Sequence, residues 1–196
     1  QVFLKKEKDK FMGNVTPVFL KNNNYIVRTI ERADLNERYL GWLNDPEIFR
    51  YFELPENYTM KMLHEYYESL DDNSHLLFAI IDRKSKQHIG NLTLHPISIA
   101  NNNTGLGGII GEKKYWGTTA FVESMELLME YAFKIRKFHK IFSGVIVNNV
   151  PCIIASRKVG FEVEGIRRQQ VKLRNGQYRD VYVFGKINPD NINSSD

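Results

Sequence analysis

The sequence predicts an α/β protein with one mixed β-sheet and helices packed against it. Strand-like and helix-like segments alternate along the chain in the order β-α-α-β-β-β-α-β-α-β-β. One segment, Leu76–Ile81, is apolar at every position, as expected of a central strand that is buried on both faces. The chain has 196 residues, of which 42% are hydrophobic and 26% charged, and this is enough for one domain with a substantial core.

The first half of the chain is predicted to contain a strand, two helices and a hairpin. Residues 25–30 are rich in β-branched side chains and favour a strand. A helix is expected to begin at Asp34 and to end before Pro46, because the residue before a proline disfavours the α region. A second helix is expected over 59–70, with Thr59 as its N-cap. The remaining segments are the two strands of a hairpin and a loop: 76–81, 89–94 and 101–105.

The second half is predicted to alternate strands and helices. The glycine-rich segment 106–111 is expected to form a short strand whose glycines allow another backbone to approach. A long helix follows over about 118–137, with an exposed i,i+4 pair between Glu130 and Lys134. Pro151 opens a shorter helix, since its missing N–H costs nothing in the first turn. The remaining segments are predicted strands: 140–147, 161–173 and 178–187.

We expect a single domain over residues 17–187, between a flexible lead-in at 1–16 and a flexible tail at 188–196. No apolar run approaches the roughly 18 residues that a membrane-spanning helix needs, and we expect no signal peptide. Cys152 is the only cysteine, which excludes an intramolecular disulfide and fits a reducing compartment. The sequence therefore predicts a cytoplasmic protein without a membrane partner.

The charge pattern bears on the partners of the protein. Its net charge is +4, from 27 Lys and Arg against 23 Asp and Glu. A mildly basic surface is compatible with a ligand that carries phosphate. The basic residues are scattered, however, and form no long run of the kind found in nucleic-acid-binding arms. We expect no nucleic-acid partner and no metal site.

Residues 111–120 form a loop between the glycine-rich strand and the long helix. The free N–H groups and the positive dipole end of a helix make such a junction suitable for an anion. Gly117 allows a ligand to approach the backbone closely. The loop is neither a Walker P-loop nor a Gly-x-Gly-x-x-Gly motif, which disfavours nucleotide hydrolysis and dinucleotide binding. The alternative is an ordinary capped helix after a solvated turn. The side chains suited to a phosphate are Lys113, Lys114, Thr118 and Thr119.

Three motifs occur together in this sequence, at 42–47, 115–123 and 149–165. In this combination and order the chain resembles the GNAT-superfamily N-acetyltransferases of the RimJ/RimL-like branch. The resemblance covers about residues 17–187. The matching residues are Trp42, Leu43, Asn44, Asp45, Pro46 and Glu47, then Tyr115, Trp116, Gly117 and Glu123, then Asn149, Lys158, Gly160, Phe161, Glu164 and Gly165.

The resemblance implies a GNAT-like fold, with about seven mostly antiparallel strands flanked by about four helices. It also implies acetyl-CoA as co-substrate and the transfer of its acetyl group to an amine. The family's fourth strand, here Leu106–Gly111, would hold the pantetheine arm, and the loop Lys114–Ala120 would surround the pyrophosphate. The implied cofactor-binding residues are Ile109, Ile110, Gly111, Lys114, Trp116, Gly117, Thr118, Thr119, Ala120 and Asn149.

The sequence departs from the family pattern at four positions. Thr119 replaces the second loop glycine, and Phe121 replaces a small residue, so that its ring either obstructs the pyrophosphate or turns into the core. Cys152 replaces a common serine. Ser156 occupies the position where many relatives have a tyrosine proposed as general acid. That acid is therefore not transferred to this chain.

The expected chemistry is the attack of a neutral amine on a thioester, which requires oxyanion donors and a route for a proton. We predict Cys152 or Ser156 near the departing thiolate and Asn149 as the residue that positions the pantetheine. A covalent role for Cys152 is a separate hypothesis, against which a small buried side chain is the alternative. Glu123 is a candidate base, although a carboxylate in the first turns also suits the helix dipole. Other candidates for the base are His95, Glu53 and Glu112.

The acceptor is predicted to be a primary amine of a small molecule or a peptide. An amino sugar, free or nucleotide-linked, is slightly favoured over a protein N-terminus, and an antibiotic or a polyamine is a further alternative. Asp180 either contacts the substrate or pairs with an arginine. The protein is expected to be a monomer or a homodimer. Two rival hypotheses are a catalytically inactive GNAT-like module that senses CoA or binds a protein, and a basic nucleic-acid binder.

Overall fold

One mixed sheet organises the protein in a computed structural model that describes residues 2–3, 15–51, 57–173 and 176–192. The sheet order is β1-β2-β3-β4-β5-β6-β7-β9-β8, and neighbours are antiparallel except for the parallel pair β6–β7. The strands are β1 (Val2–Phe3), β2 (Phe19–Lys21), β3 (Tyr25–Thr29), β4 (Leu76–Asp82), β5 (His88–Ser98), β6 (Asn103–Ile110), β7 (Lys140–Ile146), β8 (Glu162–Lys172) and β9 (Tyr178–Ile187).

The helices lie on both faces of the sheet, as predicted. The described residues contain nine strands and six α-helices, where the sequence indicated about seven and about four. The additional elements are short pieces that periodicity cannot reveal. Within the described ranges, no helix combines the length and apolar content that crossing a bilayer requires. The helices are α1 (Glu37–Asn44), α2 (Pro46–Phe49), α3 (Met60–Glu68), α4 (Ala120–Glu130), α5 (Val150–Lys158) and α6 (Pro189–Ile192).

The first half of the sheet is closed on both faces. In β4 six consecutive residues are buried, which confirms the prediction of a central strand. Phe78 and its even-numbered neighbours pack under α4, whereas Leu77 and Ala79 pack under α1 and α3. The alternation of side chains across a strand divides one apolar run between two cores. Each core then fixes one layer of helices on the sheet.

The predicted start of the first helix was wrong. Asp34 is buried and receives two hydrogen bonds from the Arg28 guanidinium, at 2.7 and 2.8 Å. It lies in a short 3₁₀ turn, and α1 begins after Asn36, whose side-chain oxygen accepts the N–H groups of Arg38 and Tyr39. The predicted end is confirmed, since α1 stops at Asn44. Thr59 also caps α3 as predicted, with its hydroxyl 3.2 Å from the N–H of Met62.

The predicted long helix is interrupted. It begins at Ala120 rather than at residue 118, and after Glu130 the chain continues as a π-helix over Tyr131–Ile135. The wider turn is closed by the N–H of Arg136, which donates to the carbonyl of Tyr131 at 3.0 Å. The i,i+4 pair between Glu130 and Lys134 is confirmed at 3.3 Å.

Two predicted irregular segments are partly regular. The predicted loop 101–105 is wrong at its C-terminal end, since β6 begins at Asn103 and its first three residues pair with β7. In the predicted tail, Asn188 is buried, its amide donates to the carbonyls of Phe133 and Phe138, and α6 follows. In the predicted lead-in, β1 pairs with β2. Most of the remaining lead-in and the end of the tail lie outside the described residues.

Candidate active site

The second half of the sheet contains an opening. The parallel pairing of β6 with β7 is limited to residues 103–105 against 140–142. Beyond Gly105 the two strands part, while β7 stays paired with β9 along its whole length. A cavity of about 320 Å³ fills the space between them. It is lined by Tyr51, Leu106, Gly107, Gly108, Phe121, Met125, Ser143, Gly144, Val145, Ile146, Asn149, Cys152, Ser156, Phe161, Gln170, Val171 and Val181.

The glycines of β6 determine how closely this strand packs against β5. A Cβ atom at Gly105 would overlap the carbonyl oxygen of His95. A Cβ atom at Gly108 would lie 2.6 Å from the carbonyl oxygen of Asn91. The predicted close approach of another backbone therefore occurs at Gly108, and a similar approach occurs at Gly105, a residue of the predicted preceding loop. As a result β6 remains joined to β5 while its other edge faces the cavity.

The loop after β6 is fixed by contacts with helix α1 and with the strand itself. A Cβ atom at Gly111 would overlap the indole ring of Trp42, so only glycine fits beneath that ring. The indole N–H of Trp116 donates to the carbonyl of Ile110 at 2.8 Å. Gly117 adopts a φ of +75°, in the left-handed region that favours glycine. These contacts hold the loop against the N-terminal end of α4.

The two threonines of the loop differ in their roles. The hydroxyl of Thr118 donates to the carbonyl of Tyr115 at 2.6 Å and accepts the N–H of Ala120 at 3.3 Å. Thr119 is the exposed N-cap residue of α4, and its side chain makes no capping hydrogen bond. Because the first N–H groups of a helix have no partner within the helix, this end of α4 can bind an anion.

The two lysines of the loop are engaged with neighbouring elements. The Lys113 ammonium forms ion pairs with Asp45, at 2.8 Å, and with Glu47. The hydrogen bonds that this ammonium donates to the two carboxylates raise the pKa of Lys113. The Lys114 ammonium donates to the side-chain oxygen of Gln87 at 2.7 Å. A phosphate at the loop would therefore compete with these partners for either lysine.

The second and third sequence motifs contribute residues to the cavity wall, and the first motif packs against the loop that leads into the second. Trp42, Asp45 and Glu47 of the first motif contact Gly111 and Lys113, just before the second motif. Farther along the same segment, the hydroxyl of Tyr51 donates to the carbonyl of Asn148 at 3.3 Å, beside the third motif. Tyr51 also lines the cavity. The chain from α1 to Tyr51 thus spans the site from the loop to the start of α5.

One face of α5 forms the cavity wall with three of the predicted residues. Asn149, Cys152 and Ser156 lie three and four residues apart and all line the cavity. Asn149 is the N-cap of α5, and its side-chain oxygen accepts the N–H of Cys152 at 3.3 Å. Burial raises the pKa of the Cys152 thiol to about 11, although a hydrogen bond from Ser156 opposes this shift. The thiol is therefore neutral at ordinary pH, which disfavours the covalent hypothesis for Cys152.

The family model of the acetyltransferase (GNAT) domain matches residues 24–162. The chain belongs to this family. It is therefore an acetyl-CoA-dependent N-acetyltransferase, and acetyl-CoA is its co-substrate.

Similar proteins agree with this assignment. The protein named Probable N-acetyltransferase YjcK of Bacillus subtilis is 30% identical over 178 residues, which cover 87% of this chain and 98% of that protein. Spermidine N-acetyltransferase from Vibrio cholerae, solved in complex with CoA and spermine, has a TM-score of 0.77 and 25% identity, with 85% of this chain and 97% of that chain covered. Ribosomal-protein-S5-alanine acetyltransferase from Vibrio fischeri has a TM-score of 0.79 and 19% identity, with 88% and 98% covered. These similarities do not single out the predicted RimJ/RimL-like branch.

The hydrogen-bonding backbone groups around the cavity of this N-acetyltransferase fit acetyl-CoA. Beyond Gly105 one edge of β6 is paired with none of the described strands, and its backbone groups face the cavity. The N-terminus of α4 provides N–H groups for a pyrophosphate. The β6 residues that line the cavity are Leu106, Gly107 and Gly108, which immediately precede the predicted trio Ile109, Ile110 and Gly111. Within the described residues, no three His, Cys, Asp or Glu side chains are grouped to hold a metal ion.

Phe121 occupies the cavity wall without closing it. Its ring packs on the core, lines the cavity and lies 3.1 Å from the position of a Cβ atom at Gly108. The absence of a side chain at Gly108 thus makes room for the large residue in the first turn of α4. Of the two predicted alternatives for this ring, the structure favours packing toward the core.

The geometry does not support Glu123 as a general base of the N-acetyltransferase. Its carboxylate accepts hydrogen bonds from Asn22, at 2.9 Å, and from Asn24, at 3.0 and 3.1 Å. Glu123 does not line the cavity, which α4 reaches with Phe121 and Met125 instead. The carboxylate joins α4 to the turn between β2 and β3.

Two of the other proposed bases, His95 and Glu112, also lie away from the cavity wall. The ring of His95 contacts that of His75, with centroids 5.6 Å apart, and Glu112 lies 3.9 Å from Arg38. Neither His95 nor Glu112 lines the cavity. Glu53 lies outside the described residues.

Sequence reasoning did not find Tyr51, Gln170 or Val171, although all three line the cavity. Tyr51 is one of ten tyrosines, and no motif distinguishes it from the others. Gln170 and Val171 lie in an exposed edge strand with no periodic pattern of burial. Only the tertiary arrangement brings these residues to the site.

Proposed function

We propose that this N-acetyltransferase acetylates the primary amine of a neutral or anionic acceptor, and that the acceptor is an amino sugar, free or nucleotide-linked. A protein N-terminus is the second acceptor class. The observation that carries the proposal is the charge around the cavity. None of the described residues that line it is acidic. A site for a polycation needs carboxylates, whereas hydroxylated ligands need neutral polar groups.

The mouth of the cavity supports the same assignment. The hairpin formed by β8 and β9 contributes Gln170, Val171 and Val181 to the wall, and we infer that it forms the mouth. The described part of this hairpin around the mouth carries an excess of positive charge. The basic residues there are Arg167, Arg168, Lys172 and Arg179, against the single acid Asp180. A basic mouth attracts phosphate or carboxylate groups and repels a polyamine.

The neutral polar groups of the wall suit a small hydroxylated molecule. The hydroxyls of Tyr51 and Ser143 and the amides of Asn149 and Gln170 can each donate and accept hydrogen bonds. They are set among apolar and glycine residues, which is the usual composition of a small-molecule site. A sugar presents matching hydroxyl groups in several directions.

The cavity wall also indicates how each residue would contribute to acetyl transfer. Acetyl-CoA supplies an activated acyl group when it is bound. Those backbone N–H groups of Leu106–Gly108 that point away from β5 can stabilise negative charge on an acyl oxygen. Cys152 and Ser156 stay protonated and can donate hydrogen bonds to a sulfur atom, and Asn149 orients them through the cap of α5. The described wall has no carboxylate or imidazole, so we infer that the proton of the amine leaves through water.

A polyamine is a third candidate acceptor. It is favoured by the 25% identity to spermidine N-acetyltransferase from Vibrio cholerae, over 97% of that chain. This candidate requires carboxylates, and the described residues place none on the wall.

An acceptor panel separates these hypotheses. Acetyl-CoA should first bind with a Kd of roughly 1–100 μM, or about −8 to −5.5 kcal/mol, by calorimetry. Release of the CoA thiol is then followed with a UDP-linked amino sugar, a peptide with a free N-terminal alanine, and spermidine. We expect kcat/KM to be highest for the amino sugar. A higher value for spermidine would contradict the proposal, and binding without any turnover would favour the inactive module.

Charge reversal tests the role of the basic mouth. Arg167→Glu should lower kcat/KM for the UDP-linked sugar about tenfold and raise it for spermidine. The matched control is Lys61→Glu, which makes the same change in net charge at a side chain that is 85% exposed on α3. Equal effects of the two substitutions would show that only net charge matters.

A further inference from the structure

The pairing of β8 with β9 is interrupted beside the cavity. Arg167 lies opposite Val181, and the next described pair is Val171 opposite Arg179. Three residues of β8, 168–170, therefore face the single residue Asp180 of β9. This is a bulge with two additional residues in β8. Bulges next to active sites commonly change the direction of a side chain.

The carboxylate of Asp180 holds the bulge in place. Its side-chain oxygen accepts the N–H of Gln169 at 2.8 Å. Gln169 adopts a φ of +50°, which is uncommon for a residue other than glycine. The carbonyl of Asp180 accepts the N–H of Val147 at 3.1 Å, which anchors β9 to the end of β7 at the same residue. Asp180 thus links the bulge to the central part of the sheet.

The bulge changes which side chains reach the cavity. Adjacent residues of a regular strand point to opposite faces of the sheet. Gln170 and Val171 are adjacent, and yet both line the cavity. Val171 lies opposite Arg179 of β9, and Arg179 is two residues from Val181. Val171 therefore points to the same face of the sheet as Val181. Gln170 therefore reaches the wall only because the bulge turns it there.

We propose that Gln170 contacts the amine acceptor and determines acceptor specificity, and that Asp180 is a positioning residue that acts through the bulge. The inference rests on the proposed function in one respect, that the acceptor enters through the mouth formed by β8 and β9. A primary amide donates and accepts hydrogen bonds. It therefore suits hydroxyl, phosphate or carboxylate groups of an acceptor, and it provides no charge to bind a polycation.

The test compares four variants at saturating acetyl-CoA, with the UDP-linked amino sugar, the alanine peptide and spermidine as acceptors. Gln170→Ala should lower kcat/KM for the wild-type enzyme's best acceptor about tenfold and leave the KM for acetyl-CoA unchanged. Gln170→Glu should raise the rate with spermidine relative to the other two. Asp180→Ala should reproduce the effect of Gln170→Ala, whereas Asp180→Asn, which keeps an accepting oxygen, should retain most of the activity.

Glu162→Gln is the matched control, since Glu162 is exposed on β8 and does not line the cavity. Thermal unfolding of each variant separates positioning from loss of the fold. The inference is overturned if Gln170→Ala and Gln170→Glu leave the ranking of acceptors unchanged, or if Asp180→Asn loses as much activity as Asp180→Ala. Preference of the wild type for spermidine would overturn the proposed function instead, and would leave the comparison of variants interpretable.

Discussion

The two halves of the sheet differ in how completely their strands are paired and buried. In the first half, β4 is hydrogen-bonded on both edges, buried on both faces, and contains no residue that reaches the cavity. In the second half, β6 and β7 part after Gly105, and β8 is an edge strand with almost every residue exposed. Closed pairing stabilises the fold, and open pairing leaves backbone groups for a ligand. The division suggests that stability and acetyl transfer can be disturbed separately.

The largest expected effect lies in the closed half. Phe78 is fully buried, and Phe78→Ala should lower the free energy of unfolding by about 3–5 kcal/mol, because it leaves a cavity that the surrounding core cannot fill. Urea denaturation measures this change. Val163→Ala is the control in the open half, where the side chain is 43% exposed, and it should change stability by less than about 0.5 kcal/mol. Similar losses for both variants would remove the distinction between the halves.

The second prediction concerns the thiol at the opening. A pKa of about 11 leaves far less thiolate than an exposed cysteine has, so alkylation of Cys152 by iodoacetamide at pH 8 should be roughly 100-fold slower than that of the unfolded protein. Mass spectrometry follows the reaction, and bound acetyl-CoA should slow it further. Cys152→Ser provides the blank. A rate equal to that of the unfolded chain would show that burial does not raise the pKa of this thiol.

The third prediction concerns the junction between the two halves, where the indole ring of Trp42 packs over Gly111. Gly111→Ala forces a methyl group against the indole ring and should cost about 1–3 kcal/mol of stability. It should also weaken acetyl-CoA binding, since the loop after β6 must move. Calorimetry and urea denaturation measure the two effects. Gly165→Ala, where an added methyl group meets nothing within 4 Å, should leave acetyl-CoA binding unchanged.

The smallest expected effect is a pH dependence in the closed half. Burial lowers the pKa of His88, so the folded protein binds fewer protons there than the unfolded chain does. His88 therefore favours folding fully above the unfolded pKa of about 6.5, and this contribution should decline as the pH falls below it. The urea midpoint should decrease between pH 7.5 and pH 5.5, and His88→Gln should reduce the decrease. A pH-independent midpoint would exclude this role.

Sequence patterns predicted the elements whose signal is local. The apolar run 76–81 and the Thr59 cap were both confirmed, because burial on two faces and capping depend on residues that are close in the chain. The start of the first helix was wrong because Asp34 pairs with Arg28, an interaction that competes with capping and that only the folded chain reveals. Short strands such as β1 and β2 leave too few residues for a period to appear.

The site was predictable only in part for the same reason. Asn149, Cys152 and Ser156 follow one helix face, so their common position on the cavity wall agrees with their spacing. The roles suggested for Glu123 and Lys113 depended on where each side chain points, and the structure directs them to Asn22 and to Asp45. Gln170 reaches the wall through a bulge that no spacing rule describes.

The parting of β6 from β7 has a consequence for hydrogen exchange. Alternate backbone N–H groups of a strand point to its two sides, so those of β6 beyond Gly105 are divided between β5 and the cavity. The amides that face the cavity should exchange rapidly with deuterium in the free enzyme. Their neighbours, which are bonded to β5, should exchange slowly. A molecule that lies along this edge should slow the exchange of the cavity-facing amides alone. The amides bonded to β5 then serve as an internal reference in the same strand, and the cavity-facing amides report whether the site is occupied.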